Sequence, residues 1–401
     1  MGVRSGPCEG ERTRIEVPLL VTGAPGEVLR DATVLVEGET LRWVGPTRSA
    51  PPSDASERVL RLTGAVVPGL IDAHVHLAFD GGDDPYQRLR DADDDERLAI
   101  MEASASDLLA AGVTTVRDLG APDLLDMRLR SEVGRRGPRL VLAGRPITTV
   151  GGHCWFLGGE AASAAEAQRL IDENIAAGAD LVKVMVTGGF MTSGSSPWTN
   201  QFDTGSLQQI VDHAHDRGVR VAAHAHGTPG IAAAAAVGVD TIEHCMWVAE
   251  DGLSFSEEVA DVIAARGIAV CATVNLNARG PGKVAWAPRA SHLGELRRRG
   301  VSIVAGTDAG IARTPHGAFA ASLPILCDIG FTPLEAIGAA TSGAAAALGL
   351  GDTVGLLRPG FAADLVVAAA DPTTDASVLQ EPTGIMLGGR WIVTPTGKAV
   401  M

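Results

Sequence analysis

The sequence predicts an α/β fold, a (β/α)8 barrel carrying a small β-sandwich built from both chain ends. Three observations lead there. Six times a helical stretch ends in Gly and an apolar strand begins at once. Histidines and an aspartate recur where those strands end. Both ends of the chain read instead as short strands broken by turns.

The repeat is seen at LLAAGVTTVRD (Gly112), NIAAGADLVKVMV (Gly178), DRGVRVAAHAHG (Gly218), AAVGVDTIEHC (Gly238), AARGIAVCATV (Gly267) and RRRGVSIVAGTDAG (Gly300). A Gly after a helix provides the left-handed cap that lets the chain reverse. The helices are amphipathic: Leu207, Ile210, Val211 and Ala214 recur at helical spacing before Gly218. The strands are short, continuous apolar runs, the pattern of a parallel sheet buried on both faces.

Adding GAVVPGLIDAHVH (64–76) and PRLVLAG (138–144) gives eight strands, centred near 69, 115, 141, 183, 222, 242, 271 and 304. Eight such units in roughly 280 residues is barrel size. No GxGxxG follows the first strand, which weakens the doubly wound alternative. Residues 14–63 and 354–398 carry the strand-and-turn pattern. The expected division is therefore residues 1–66 and 350–401 in the β-sandwich and 67–349 in the catalytic barrel. The acidic stretch Asp80–Glu96 reads as a solvated loop leading into a helix.

Composition narrows the function. The 401 residues are 46% apolar, enough for a large core, and carry a formal charge of −15. That balance argues against nucleic acid, whose phosphates call for clustered Lys and Arg. No apolar run is long enough to span a membrane. The N-terminal stretch lacks the apolar core of a secretory signal. Five scattered cysteines (8, 154, 245, 271 and 327) with no CxxC pair fit free thiols. A soluble, cytoplasmic protein is expected, acting on a small molecule and forming a homo-oligomer.

Barrel active sites sit at the C-terminal ends of the strands. His74 and His76 close the first strand, Lys183 lies inside the fourth, His224 and His226 close the fifth, His244 the sixth, and Asp308 the eighth. Imidazoles and carboxylates around one opening are what a catalytic divalent metal needs. His74 and His76, two apart on a strand, point to one face. Lys183 is anomalous, because a lone ammonium on a strand buried on both faces is costly. Either an ion pair or some other group neutralises it. Asp308 is equally suited to cap the next helix. His213 and His215 repeat the H-x-H spelling on a helix, where such positions face apart, and read as surface residues, as does His292. His153, His226, Arg145 and His316 fall in or near rim loops, as contacts for a substrate carboxylate or as loop packing. Trp155, Phe156, Trp198 and Trp247 follow strand ends, either walling an apolar pocket or packing loops.

Together PGLIDAHVH, the Lys of VKVMVTGG, VAAHAHG, DTIEHC and AGTDAG resemble the amidohydrolase superfamily. GLLRPGFAADLVV is similar to that superfamily's return strand into its β-sandwich. HAHG and the GGH at 151–153 look most like the imidazolonepropionase-related clade, which includes Xaa-Pro dipeptidases. The resemblance implies two divalent ions, Zn with Mn or Co as alternatives. His74 and His76 would hold the more buried ion, His224 and His244 the more exposed one. A carboxylated Lys183 would bridge them, and Asp308 would ligate the first and shuttle the proton. One departure matters: deaminase-type members and imidazolonepropionase carry Glu where this chain has His226. That argues against ring deamination and imidazolone opening. The expected activity is metal-dependent hydrolysis of a C–N bond in a dipeptide-like (Xaa-Pro type) or N-acyl amino acid substrate. The alternatives are a carbamate, urea or cyclic amide hydrolase, and a catalytically silent scaffold.

Overall fold

Each of the six helix-to-strand junctions turns on its glycine. In the computed structural model, which describes residues 12–395 and 399–400, Gly112, Gly178, Gly218, Gly238, Gly267 and Gly300 have φ between 66° and 109°. That left-handed region is open to Gly at no steric cost. Cys8 lies outside the described residues.

Eight strands follow at the expected places: β1 (Leu70–Val75), β2 (Val113–Asp118), β3 (Arg139–Leu142), β4 (Leu181–Met185), β5 (Arg220–Gly227), β6 (Thr241–Ala249), β7 (Ala269–Cys271) and β8 (Ile303–Val304). They pair in parallel and in chain order, β1-β2-β3 in one sheet and β4 to β8 in a second. Backbone hydrogen bonds also cross between the sheets. Ala73 donates to Ala305 O (3.1 Å) and Asp308 to His74 O (2.8 Å) on one side. Asp180 donates to Leu142 O and Ile147 to Lys183 O, both at 2.8 Å, on the other. Every residue of β1, β2 and β4 is buried, the burial on both faces of a parallel sheet, so the polar residues Asp72, His74, Arg117, Asp118 and Lys183 on them are enclosed as well.

The intervening helices begin on side-chain caps. Asp93 accepts from Glu96 N (2.9 Å) at the start of helix Asp94–Ala110, and Asp203 from Ser206 N (2.9 Å) at the start of Thr204–Asp216. Such caps contribute about 1 kcal/mol each. The acidic stretch departs from the expected loop here. Asp84 caps a short helix, Pro85–Asp91, and Asp94, Asp95 and Glu96 form the first turn of the next helix. Negative charge at a helix N-terminus complements its dipole.

Both chain ends meet in one nine-stranded sheet. Ala65–Pro68 pairs antiparallel with Leu365–Ala368, and Ala399–Val400 with Glu57–Arg61. The sheet forks at Arg12–Val21, which pairs with Val28–Glu37 on one edge and with Glu57–Arg61 and then Ala65–Pro68 on the other. Ile15, Leu20, Val34, Leu365 and Met386 pack there as a second core, fully buried. Among the described residues no single helix is long and apolar enough to cross a membrane.

Candidate metal centre

The C-terminal ends of β1, β4, β5, β6 and β8 bring together His74, His76, Lys183, His224, His226, His244 and Asp308. Three groups of residues have ligand atoms within 4.8 Å of one another: His74, His76 and Asp308; His224, His226 and His244; and His74, Glu243 and Cys271. Asp308 Oδ1 lies 3.3 Å from His74 Nε2 and 3.5 Å from His76 Nε2. His244 Nε2 and His224 Nδ1 face each other at 2.9 Å.

Four imidazoles are held from behind. His74 Nδ1 bonds Glu243 Oε2 (2.7 Å), His76 Nδ1 approaches Gly120 O (3.5 Å), His224 Nε2 bonds Gly188 O (3.1 Å) and His244 Nδ1 bonds Thr273 Oγ1 (3.0 Å). In each case the other ring nitrogen is left facing the cluster. An outward partner that fixes the ring and frees the inward nitrogen is the arrangement of metal-ligating histidines. His226 differs, because neither of its ring nitrogens bonds any described residue and its Nδ1 is buried. It stacks on His244 with ring centroids 4.4 Å apart.

The electrostatics suit cations. Burial pushes His76 down to about 3 and His224, His226 and His244 well below the usual histidine value. The rings are therefore neutral and able to donate lone pairs. Burial pushes Asp308 upward, but the facing ring of His74 and the charge of Lys183 outweigh it and hold the carboxyl ionised.

Lys183 is 1% exposed, and its Nζ has no hydrogen-bond partner. Burial brings its amine down to about 8 against the pull of Glu243 and Asp308. Among the described residues no carboxylate pairs with it, which removes the ion-pair explanation. Unpartnered buried atoms on Lys183 and His74 Nε2 leave donors aimed at an interior that protein does not satisfy. The residues present fit divalent ions.

The backbone at the site is strained. His244 (φ 68°), Thr273 (φ 47°) and Asp308 (φ 60°) all occupy the left-handed region. Such residues cost about 1–3 kcal/mol each and persist where the surroundings over-determine them. Gly306 of the GTDAG motif has no room for a side chain, since a Cβ there would stand 2.4 Å from Cys271 Sγ.

The remaining candidates separate. His153 joins the cluster, its ring 4.6 Å from His224 and its Nδ1 3.1 Å from Thr192 Oγ1. His316 sits behind it, with Nε2 on His76 O at 3.2 Å. Arg145 is not brought in: its guanidinium bonds Asn174 (3.1 Å) and Glu173 (2.8 Å) on helix Ala164–Ala177. His213 and His215 pair with Asp172 and Asp240 on their helix surface. His292 is half-buried against Phe255. Phe156 lies between Phe79 (6.4 Å) and Tyr86 (4.4 Å), and Phe79 packs on His76 (5.6 Å). Trp155 is 41% exposed beside it, whereas Trp247 is wholly buried against Phe255. Trp198 packs a loop, its Cα too close to Gly227 for a Cβ there.

Sequence reasoning missed Glu243, Arg117, Thr273 and Arg289. Arg117 Nη2 donates to Glu243 Oε1 at 2.8 Å, so one buried carboxylate holds both a guanidinium and His74. Burial acts upward on Glu243, but Arg117 and His74 hold it well below the usual carboxylate range. A Glu inside the apolar run DTIEHC, next to a candidate ligand, was the available signal.

Parallel strands that gather neutral imidazoles and an ionised carboxylate at their C-terminal ends form a candidate metal site. The chain belongs to the Amidohydrolase family, whose sequence profile matches residues 65–392, and is thus an enzyme acting on carbon–nitrogen bonds. It is 29% identical to ochratoxinase of Aspergillus niger over 96% of this chain and 88% of that one. The ochratoxinase crystal structure superposes with a TM-score of 0.83 at 26% identity, covering 98% and 99% of the two chains. Imidazolonepropionase of Salinispora arenicola is 30% identical, over 88% of this chain and 90% of that one. A Xaa-Pro dipeptidase crystallised with methionine in its active site shares the fold, with a TM-score of 0.83, 24% identity, and 96% and 100% coverage.

Proposed function

We propose that this enzyme hydrolyses the amide bond of a dipeptide-like (Xaa-Pro type) or N-acyl amino acid substrate with two divalent ions, Zn being expected and Mn or Co alternatives. His74, His76 and Asp308 would hold one ion, His224 and His244 the other, and a carboxylated Lys183 would bridge them. The observation that carries this reading is Lys183 itself, a buried amine without a partner among neutral imidazoles. Its free amine adds to carbon dioxide and sheds one proton, which leaves an anion where a buried ammonium would repel cations. Ions bound there would supply Lewis-acid activation of water and of the scissile carbonyl.

The chain's own residues do the rest. Asp308, ionised and 14% exposed at its side chain, accepts a proton from the attacking water and returns it to the leaving nitrogen. His226 and His153, packed on His244 and His224 and not assigned as ligands in this reading, would orient the substrate. Phe156 and Tyr86, half-buried and backed by Phe79, would give one side of the site an apolar wall suited to an acyl group. We further propose that the two parallel sheets close into the (β/α)8 barrel (67–349). Residues 1–66 and 350–401 would form the β-sandwich, and the protein would act in the cytoplasm as a homo-oligomer.

A cyclic amide is the second reading, favoured by the relation to imidazolonepropionase. One experiment separates them: metal analysis of the purified protein, followed by a screen of dipeptides, N-acyl amino acids, carbamates, ureas and cyclic amides. About two ions per chain and turnover confined to linear amides support the first reading. Turnover confined to cyclic amides gives the second. A protein that takes up no metal is a silent scaffold.

A further inference from the structure

Three arginines are buried among the described residues: Arg14, Arg117 and Arg289. Arg14 meets Glu57 at 2.7 Å and Arg117 meets Glu243 at 2.8 Å. Arg289, 7% exposed on helix Trp286–Arg298, has no carboxylate of the described residues within 4 Å. Its Nη2 donates to the carbonyls of Ala272 and Thr273 and approaches Thr273 Oγ1 at 3.4 Å, while its Nε is buried with no partner. An unpaired buried charge costs several kcal/mol, and a guanidinium fork is shaped to take a carboxylate through two parallel bonds.

The place of this cation is as informative as its lack of a carboxylate partner. Thr273 Oγ1 is also 3.0 Å from His244 Nδ1, so one hydroxyl separates Arg289 from the imidazole cluster. Asp308 and His226 both feel its charge. The cluster thus has two unlike sides, aromatic near β1 and β3 and cationic behind β7. Asp308, which hands the proton to the leaving nitrogen, closes the neighbouring strand β8, so the amine fragment lies on the cationic side.

We propose that Arg289 is a specificity-determining residue that binds a carboxylate carried on the amine side of the scissile bond. Resting on the amide-hydrolase reading above, this selects N-acyl amino acids and dipeptides with a free C-terminus over neutral amides and ureas.

The test compares metal-loaded wild type with Arg289→Met and Arg289→Lys, following benzoate release from N-benzoyl-L-alanine and from N-ethylbenzamide, which lacks only the carboxylate. Loss of charge-assisted bonds predicts that KM for N-benzoyl-L-alanine rises about 30-fold or more in Arg289→Met. Turnover of N-ethylbenzamide stays within about threefold, and Arg289→Lys is intermediate. Calorimetry of L-alanine and ethylamine with the same proteins reads binding without turnover: alanine binds wild type more tightly than Arg289→Met, and ethylamine does not distinguish them. Equal losses on both substrates would make Arg289 a positioning residue for Thr273 and His244 and overturn the proposal. N-ethylsuccinamic acid, with its carboxylate on the acyl side, tests the orientation, and a larger Arg289 effect there overturns it. If wild type hydrolyses neither benzamide, the amide-hydrolase reading fails while calorimetry still decides the carboxylate site. Thermal melts identify a variant that does not fold, and the Lys variant then carries the comparison.

Discussion

Glu243 Oε2 bonds His74 Nδ1 at 2.7 Å although both side chains are wholly buried. The carboxylate fixes which ring nitrogen faces the cluster and makes that nitrogen a stronger donor. Glu243→Gln should therefore lower metal affinity about 10–100-fold. Metal titration against a competing chelator reads this directly, and affinity within twofold of wild type would leave Glu243 with a purely structural role.

His224 and His226 lie two apart on β5, yet only His224 is held from behind, through Gly188 O. His224→Asn should lose metal and activity together. His226→Asn should keep its metal and raise KM. If metal content falls equally in both, His226 is a ligand.

Asp308→Asn keeps the side chain's size but removes its charge and its capacity to take a proton. A fall in kcat of about 10²-fold or more is expected, the scale of lost general base catalysis. Near wild-type turnover would exclude Asp308 as the proton acceptor.

Lys183→Ala should fold, assemble its metals poorly and be nearly inactive, and added short-chain carboxylic acids should restore part of the activity. Native mass spectrometry of wild type should find one carbon dioxide on Lys183. A Lys183→Ala protein that retains two ions and full turnover would exclude the bridge.

Burial pushes the carboxyls of Asp118 and Asp126 upward, Asp126 to about 6, and the charge of Asp126 adds to the effect at Asp118. The folded protein binds protons there that the unfolded chain has released, so this contribution to stability is full below about pH 4. It is lost as pH rises through about 6. Asp126→Asn should flatten that part of the Tm-against-pH curve, and an unchanged slope would assign the loss to other groups.

The eight strands were legible because a parallel sheet buried on both faces writes itself as apolar runs punctuated by glycine. The ligand candidates were legible because strand ends are fixed by those runs. What stayed hidden depends on partners far apart in sequence. Arg117 and Glu243 are separated by 126 positions, and nothing local to VTTVRD says that its arginine is paired. Arg145 had the right location in the chain, but Glu173 on the following helix turns it aside. Arg289 looked like any helix arginine until Thr273 curled towards it.

The antiparallel pairing of Ala65–Pro68 with Leu365–Ala368 also constrains how the chain comes to be folded. Its two halves are about 300 residues apart, so at 5–20 residues per second the earlier strand waits roughly 15–60 s during synthesis for its partner. Through that interval Val66 and Val67, which end fully buried, lie along an unpaired edge open to other chains. Assembly is therefore ordered from the inside outward: the parallel units can collapse as they emerge, and the joined termini act as a late clasp. Expression at lower temperature or with a holding chaperone should raise the soluble yield, whereas removal of the last strands should send nascent protein to aggregates before the catalytic region is harmed.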